Sequence, residues 1–271
     1  MTARTHGPTT GAAALLLTLT LTACGGDADA SDDVGQGVRC PETSLVTMSA
    51  LTGPDSGLGK AIARGAGLAL TEFTDANPEC DLHLDRVDTQ GLPERATTAA
   101  RRIVRDAEIV GVVGPAFSGE ALAAGTILDD AGVPFVTPSA TNPALSKRGW
   151  TTFHRVPASD AVLGAATATF IGELADGGPI AVVDDGSAYG VGLADIVEDR
   201  LGADVVVSLT VAPGAATVTE AVTAIAAAGA GTVFYVGYEE DSADFATALR
   251  AATDADLVLR DRKSTRLNSS H

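Results

Sequence analysis

Apolar residues recur along the chain with two different periods, and their alternation predicts a succession of strands and helices. Short continuous apolar runs, such as residues 108–114 (EIVGVVG), have the length and composition of strands covered on both faces. Longer segments place apolar residues three or four positions apart, as between Ser56 and Phe73, and predict helices that bury one side. Asn77-Pro78 ends this first helix, and Pro93 opens the second. The pattern is typical of an α/β protein.

The strand–helix alternation runs through the chain in two series. The first occupies residues 44–151, and the second begins at residues 152–156 (TFHRV) and continues to residue 260. Alternating units of this kind form parallel sheets with right-handed crossovers. The sequence therefore predicts two doubly wound parallel-sheet lobes joined by a hinge near residues 150–157. Predicted strands cover residues 44–51, 81–88, 108–114, 133–136, 179–185, 204–210 and 231–237, and predicted helices start near residues 56, 93, 118, 160, 190, 217 and 242.

The N-terminal segment is predicted to lie outside the fold. Arg4 and His6 precede an apolar run of about 13 residues that ends in small residues, which is typical of a secretory signal peptide over residues 1–23. The run is too short for a transmembrane helix, which needs about 20 apolar residues. The letters LTAC, ending at Cys24, resemble a bacterial lipobox, in which the cysteine becomes the lipidated first residue. Residues 24–43 would then be a flexible tether on the extracytoplasmic face of the cell membrane. The alternative is an ordinary signal peptide with an accidental cysteine.

Two further cysteines remain if Cys24 carries lipid. Cys40 lies just before the first predicted strand and Cys80 just before the second. The starts of two parallel strands can be neighbours at one edge of a sheet, and an exported protein folds in an oxidising compartment. We therefore predict a Cys40–Cys80 disulfide, which would contribute roughly 4 kcal/mol in the chain-entropy model. Two free buried thiols are the alternative.

The charge of the chain limits its partners. The formal net charge is −17, which argues against nucleic acid or an anionic membrane surface as the main partner.

Residues 261–271 (DRKSTRLNSSH) differ in composition from the rest of the chain, because they are basic and polar in an acidic protein. Their letters correspond to a translated string that resembles a common sequencing-adapter read. We therefore expect the natural sequence to be interrupted near Arg260, which would leave the second lobe, residues 152–260, incomplete.

Hydroxyl and aromatic side chains collect at the predicted carboxyl ends of the strands. Ser118 follows the third strand at a helix start, and Ser139 and Thr141 follow the fourth in the letters TPSATNP. Two of the three tyrosines, Tyr189 and Tyr238, follow strands of the second lobe. Ligands of open parallel sheets bind at this edge, so loops from both lobes would meet around one ligand. Each residue also has a structural alternative, because the hydroxyls could cap helices or turns and the rings could pack in a core.

Several of these segments together carry a resemblance to a known family. Residues 114–150, followed by the letters FHRVPASD and VVDDGSAYGVGLAD, resemble the branched-chain amino-acid (Leu/Ile/Val) class of ABC-transporter substrate-binding proteins. The similarity runs from about residue 44 to 260, and its ATNP and YGxG segments are fairly specific to the superfamily but not to one ligand. It implies a type I periplasmic-binding fold that binds a small amino acid or related carboxylate and delivers it to an ABC permease. No cofactor, metal or chemical reaction is implied.

The resemblance also implies roles for individual residues. The ligand-binding positions would be Ser118, Ser139, Ala140, Thr141, Tyr189 and Tyr238. The first four would bind the carboxylate and ammonium of the ligand, and the two tyrosines would close over it. The sequence departs from the family in three places. The acid for the ligand ammonium would fall at or beyond residues 261–271, Leu58 replaces an aromatic residue, and Phe117 replaces a cysteine found in some members.

Other functions are compatible with parts of the sequence. A ligand-sensing domain for a signalling partner would share the fold and the site, so the sequence does not separate sensing from transport. A serine hydrolase would need a base for Ser118, but the G-x-S-x-G elbow is missing, and His83 and His154 lie in strand-like segments. Asp184 and Asp185 resemble phosphoryl-transfer acids, or else are two solvated acids at the start of a loop. Residues 53–61 (GPDSGLGKA) depart from a phosphate loop in their spacing and in lacking its Ser/Thr.

Overall fold

The computed structural model describes residues 40–212, 215–261 and 268–270. Its first lobe contains five strands and three helices. In chain order they are β1 (Cys40–Ser49), α1 (Ser56–Ala76), β2 (Cys80–Asp88), α2 (Pro93–Ile103), β3 (Ile109–Val113), α3 (Ser118–Asp130), β4 (Phe135–Thr137) and β5 (Phe153–Arg155). The strands form one parallel sheet in the order β2-β1-β3-β4-β5. A 3-10 helix, Pro143–Lys147, follows β4.

Two predicted boundaries of this lobe are wrong. β5 pairs in parallel with β4, with Phe153 opposite Phe135, so the segment expected to open the second lobe completes the first sheet. The boundary between the lobes therefore falls after Arg155 rather than before residue 152. β1 begins at Cys40, inside the segment expected to be tether, because its first residues pair with β2.

The second lobe repeats the arrangement with its own sheet. Its elements are α4 (Asp160–Ala175), β6 (Ile180–Asp184), α5 (Ala188–Leu201), β7 (Val205–Thr210), α6 (Ala215–Ala228), β8 (Thr232–Gly237), α7 (Glu239–Ala252), β9 (Asp256–Asp261) and β10 (Asn268–Ser270). The sheet order is β10-β9-β8-β6-β7, parallel except for β10, which pairs antiparallel with β9. The doubly wound α/β prediction is confirmed.

Helices bury both faces of the central strands in the second lobe, whereas in the first lobe Val110 of β3 and Val136 of β4 remain 46% and 36% exposed. In the first lobe, Val46 and Met48 of β1 pack with alanines of α2 and with Phe135 of β4. In the second lobe, every residue of β6 and β8 is buried, between α4 and α5 on one face and α6 and α7 on the other. Gly114 allows β3 to end close to β1, since a Cβ there would lie 2.3 Å from the Met48 carbonyl oxygen. The close packing holds the carboxyl ends of the strands together.

The structure covers only part of the N-terminal region for which predictions were made. Cys80 is disulfide-bonded, and Cys40 lies opposite it in the register of β1 and β2. The pairing of these two cysteines with each other stays a prediction. Cys24 and the predicted signal peptide lie outside the described residues. In the part of the chain that the structure describes, no helix is both long and apolar enough to span a bilayer.

Candidate ligand-binding site

The carboxyl ends of strands from both lobes meet at one place. α3 begins at Ser118 after β3, and α5 begins at Ala188 after β6. A Cβ on Gly119 would lie 3.8 Å from the Cβ of Ala188, so the first turns of the two helices face each other. Helix N-termini carry partial positive charge and backbone N–H groups, which favour an anionic ligand group. The predicted meeting of loops from the two lobes is therefore present.

Two hydroxyls, one at the last residue of β4 and one in the loop after it, hold the loops of the first lobe together. Thr137 Oγ1 donates to the Pro115 carbonyl oxygen over 2.7 Å and accepts from the Ala140 N–H over 2.9 Å. Ser139 Oγ donates to the Ala116 carbonyl oxygen over 2.5 Å. These bonds join the loop after β3 to the loop after β4. Ser139, expected to bind ligand, thus uses its proton within the protein, and Ala140 lies fully buried beside it.

Thr141 differs from those hydroxyls. Only 8% of the residue is exposed, and its Oγ1 has no hydrogen-bond partner among the described residues. The backbone around it is nevertheless fixed, because the Thr141 carbonyl oxygen accepts from the Arg155 guanidinium and from the Asp160 N–H. A buried hydroxyl without a partner is costly, and such groups in native proteins call for an explanation. A polar ligand atom would supply the missing partner.

Ser118, the first residue of α3, is bonded to the loop that carries Thr141. It is fully buried, and its Oγ accepts from the Asn142 N–H over 3.4 Å. The Ser118 hydroxyl thereby links the loop after β3 to the loop after β4. Ser118 and Thr141 were both expected at the ligand, and the structure brings their loops together.

The aromatic residues form the boundary between the lobes. The ring centroids of Tyr189 and Tyr238 are 5.8 Å apart, and Tyr238 meets Phe117 of the first lobe edge-on at 5.2 Å. Leu58 and Ile62 of α1 pack in the same cluster as Phe117 and Tyr238. Tyr189 is 3% exposed and also packs in the core of the second lobe. One side of the site is therefore apolar and aromatic.

Asp184 and Asp185 are not the solvated acids that the sequence suggested, since they are only 6% and 9% exposed. Asp185 accepts from the Ser187 N–H and from the Tyr238 N–H, over 2.9 and 3.0 Å, and so joins the two loops that carry the tyrosines. Burial raises the pKa of Asp184 and outweighs the hydrogen bonds from Gly186 and Thr210, which lower it. Both carboxylates accept hydrogen bonds that hold the loops at the carboxyl end of the second sheet.

Asn142 is a site residue that sequence analysis missed. Its Nδ2 donates to the Ala188 carbonyl oxygen over 2.6 Å, from the first lobe to the second. The only signal was its position between Thr141 and Pro143, which is equally typical of a turn. Its partner could not be read from the sequence because the bond joins residues 46 positions apart.

Metal-ligating groups lie elsewhere. Among the described residues, Glu42, Asp81 and His83 bring ligand atoms within 4.8 Å of one another, and all three are exposed. They belong to the first residues of β1 and β2, whereas the candidate site is at the carboxyl ends of the strands. His83, considered above as a hydrolase base, contacts Asp81 at 2.9 Å with over half of its side chain exposed.

A family model and curated relatives match most of this chain. Residues 45–260 match the model of a family described as periplasmic binding protein. The Leu/Ile/Val-binding protein BraC3 of Rhizobium johnstonii is 31% identical over 223 residues, which are 80% of this chain and 60% of that protein. The chain thus spans about 60% of the length of this curated relative.

Solved structures share the fold. The substrate-binding protein LivJ of a branched-chain amino-acid transporter from Streptococcus pneumoniae, in complex with isoleucine, has a TM-score of 0.72 at 22% identity, covering 81% of this chain and 64% of that one. A solute-binding protein of an ABC transporter from R. palustris, in complex with benzoate, has a TM-score of 0.73 at 20% identity, covering 83% and 63%. The type I periplasmic-binding architecture expected from the sequence is confirmed.

Proposed function

Because the chain belongs to the periplasmic binding protein family, we propose that it binds a small amino acid, of the branched-chain type, or a related carboxylate between its two lobes. The binding protein would deliver this ligand to an ABC permease, and no bond of the ligand would be made or broken. The name of the BraC3 relative supports a branched-chain ligand. Binding is proposed for the full-length product of the gene.

The observation that carries the proposal is the Thr141 hydroxyl. It is buried and lacks a partner among the described residues, and the next residue of its loop, Asn142, donates its N–H to Ser118 at the N-terminus of α3. A ligand carboxylate there would accept from Thr141 and from first-turn N–H groups of α3. Hydrogen bonds to a charged group contribute about 1.5–3 kcal/mol each, so three or four support micromolar binding after the costs of association.

The aromatic side of the site supports an apolar ligand side chain. Phe117, Tyr238, Leu58 and Ile62 present rings and aliphatic groups at the lobe boundary. A charged ligand side chain packed against this cluster would lose its hydration without a matching charge. Tyr189 and Tyr238 would contact the ligand when the lobes close, which makes closure dependent on occupancy.

Anchoring and localisation belong to the same proposal. A lipid on Cys24 would hold the protein on the extracytoplasmic face of the membrane, close to a permease. The support is the LTAC sequence and the Gly- and Asp-rich segment after it. An unmodified Cys24 in the mass spectrum of the mature protein would refute the anchor.

Substitution of Thr141 tests the site. Thr141→Ala should weaken ligand binding by about 1–3 kcal/mol, because a buried carboxylate loses a donor. The same change should leave the free energy of unfolding unchanged or raise it, since the hydroxyl has no protein partner among the described residues. Calorimetric titration with leucine, isoleucine and valine measures the first effect, and urea denaturation measures the second.

Two variants control this experiment. Thr141→Ser keeps the hydroxyl and should retain most of the affinity. Thr71→Ala removes an exposed hydroxyl of α1, whose bond to the Gly67 carbonyl oxygen lies outside the site, and should bind as the unmodified protein does. Equal affinity of the Thr141→Ala and Thr71→Ala proteins would show that Thr141 does not contact the ligand.

A further inference from the structure

One side-chain amide connects the ligand site to the facing lobe. Asn142 is 8% exposed, and its Nδ2 lies 2.6 Å from the carbonyl oxygen of Ala188, the first residue of α5. Ala188 directly precedes Tyr189, so the acceptor belongs to the segment expected to close over the ligand. The bond therefore forms where the second lobe approaches the first.

The first lobe fixes Asn142 on every other side. Its Oδ1 accepts from the Ala144 N–H over 2.8 Å and caps the 3-10 helix that starts at Pro143. Its backbone N–H donates to Ser118 Oγ, and its carbonyl oxygen accepts from the Arg155 guanidinium over 3.1 Å. With Oδ1 held by the cap, the amide plane is set, and Nδ2 points toward Ala188 without a further rotation.

On the second lobe, a glycine of α5 leaves space for the Asn142 side chain. Gly192 lies one turn after Ala188 on α5, and a Cβ at this position would lie 2.5 Å from Asn142 Nδ2. Only a residue without a side chain leaves room for the amide. Access to the Ala188 carbonyl oxygen thus depends on a glycine in one lobe and an asparagine in the other.

We propose that Asn142 is a positioning residue that couples ligand binding to closure of the lobes. The inference rests on the proposed function, because Asn142 directly follows Thr141 and its N–H bonds to Ser118. A ligand held by these two hydroxyls fixes the loop that carries Asn142. The fixed loop then presents Nδ2 to α5, and the bond to Ala188 holds Tyr189 and the second lobe in the closed position.

Asn142→Asp separates the two functions of the side chain. An aspartate retains the acceptor for the Ala144 N–H but has no donor for the Ala188 carbonyl oxygen. In stopped-flow experiments with the preferred amino acid, its dissociation rate should rise about tenfold, since one hydrogen bond of the closed state is lost. The association rate should change little, because the open state, to which the ligand binds, is retained.

Gly192→Ala tests the same bond from the other lobe. Its Cβ should displace the amide and raise the dissociation rate by a similar factor, and adding Asn142→Asp should cause no further increase, because both changes remove one bond. Gly172→Ala on α4 is the matched control, since its Cβ would meet Leu201 at an ordinary 3.6 Å. Release at the unmodified rate by either lobe-boundary variant, or additive effects in the double variant, would overturn the proposal.

Small-angle X-ray scattering without ligand separates this proposal from the proposed function. If no amino acid binds, the proposed ligand class fails, but the contribution of the Asn142–Ala188 hydrogen bond to lobe closure is still tested. Without ligand the lobes exchange between open and closed positions, so loss of the bond should lower the closed fraction, and the Asn142→Asp protein should have a larger radius of gyration than the unmodified protein. Identical scattering of the two ligand-free proteins, together with identical release rates where release is measurable, would overturn the proposal that Asn142 holds the lobes closed.

Discussion

Asp88 shows how a single carboxylate shapes the edge of the site. It ends β2 and accepts from the Leu51 N–H and the Thr52 N–H, over 2.8 and 3.2 Å, as well as from the Thr52 hydroxyl and the Gln90 N–H. The loop after β1 is thereby tied to the end of β2. Burial raises the pKa of Asp88, but the hydrogen bonds together outweigh it and hold the pKa below its usual value. Asp185 joins two loops of the second lobe by the same chemistry.

The lowered pKa of Asp88 predicts a pH-dependent stability. Because the folded-state pKa lies below the unfolded value of about 3.9, the contribution is complete above that value and is lost as pH falls through the folded pKa. Asp88→Asn should lower the free energy of unfolding by about 1 kcal/mol at pH 7, since solvent screens this partly exposed carboxylate, and by less as pH falls below the unfolded value. Urea denaturation between pH 7 and pH 3 measures the difference.

The control for this series is Asp75→Asn, which alters an exposed carboxylate of α1. Its effect on stability should be small at neutral pH. A penalty for Asp88→Asn that stayed constant down to pH 3 would contradict the assignment, because it would show that ionisation of Asp88 does not contribute to folding.

At the level of the elements, the hydrophobic pattern predicted what each segment forms better than what it pairs with. The apolar runs that became β6 and β8 were identified because both of their faces are covered, and Pro93 marked the start of α2 correctly. β3 was also identified as a strand, but the expectation that both of its faces are covered is wrong, because Val110 is 46% exposed. β5 was assigned to the wrong lobe because a strand of only three residues has no sequence pattern that indicates which strand it pairs with. Its place follows from the register with β4, which is a tertiary interaction.

The pairing of β1 with β2 gives the disulfide prediction a geometric basis. Cys80 is disulfide-bonded and stands opposite Cys40 in the register. We expect non-reducing peptide mapping of the exported protein to find the two cysteines in one linked peptide, and Cys80→Ser to lower the free energy of unfolding by about 2–4 kcal/mol. Quantitative alkylation of both thiols without reductant would disprove the pairing.

For the whole molecule, the site could be located from the sequence but its bonding could not. Parallel strands put their carboxyl ends at one edge, so the loops bearing Ser118, Thr141 and Tyr238 were expected to meet. The roles of Ser139, Asp185 and Asn142 depend on distances between loops, and no local pattern encodes these. The resemblance predicted positions in the ligand site. The Ser139 hydroxyl also joins two loops through its bond to the Ala116 carbonyl oxygen, and its contact with a ligand stays a prediction.

The central claim is that a small amino acid closes two lobes over itself. It is tested most directly by titrating the full-length gene product with leucine, isoleucine and valine in a calorimeter while recording small-angle X-ray scattering on the same samples. We predict saturable binding at one site per molecule with micromolar affinity for at least one of the three, accompanied by a decrease in the radius of gyration. Absence of binding by all three, or saturation without any compaction of the protein, would contradict the claim.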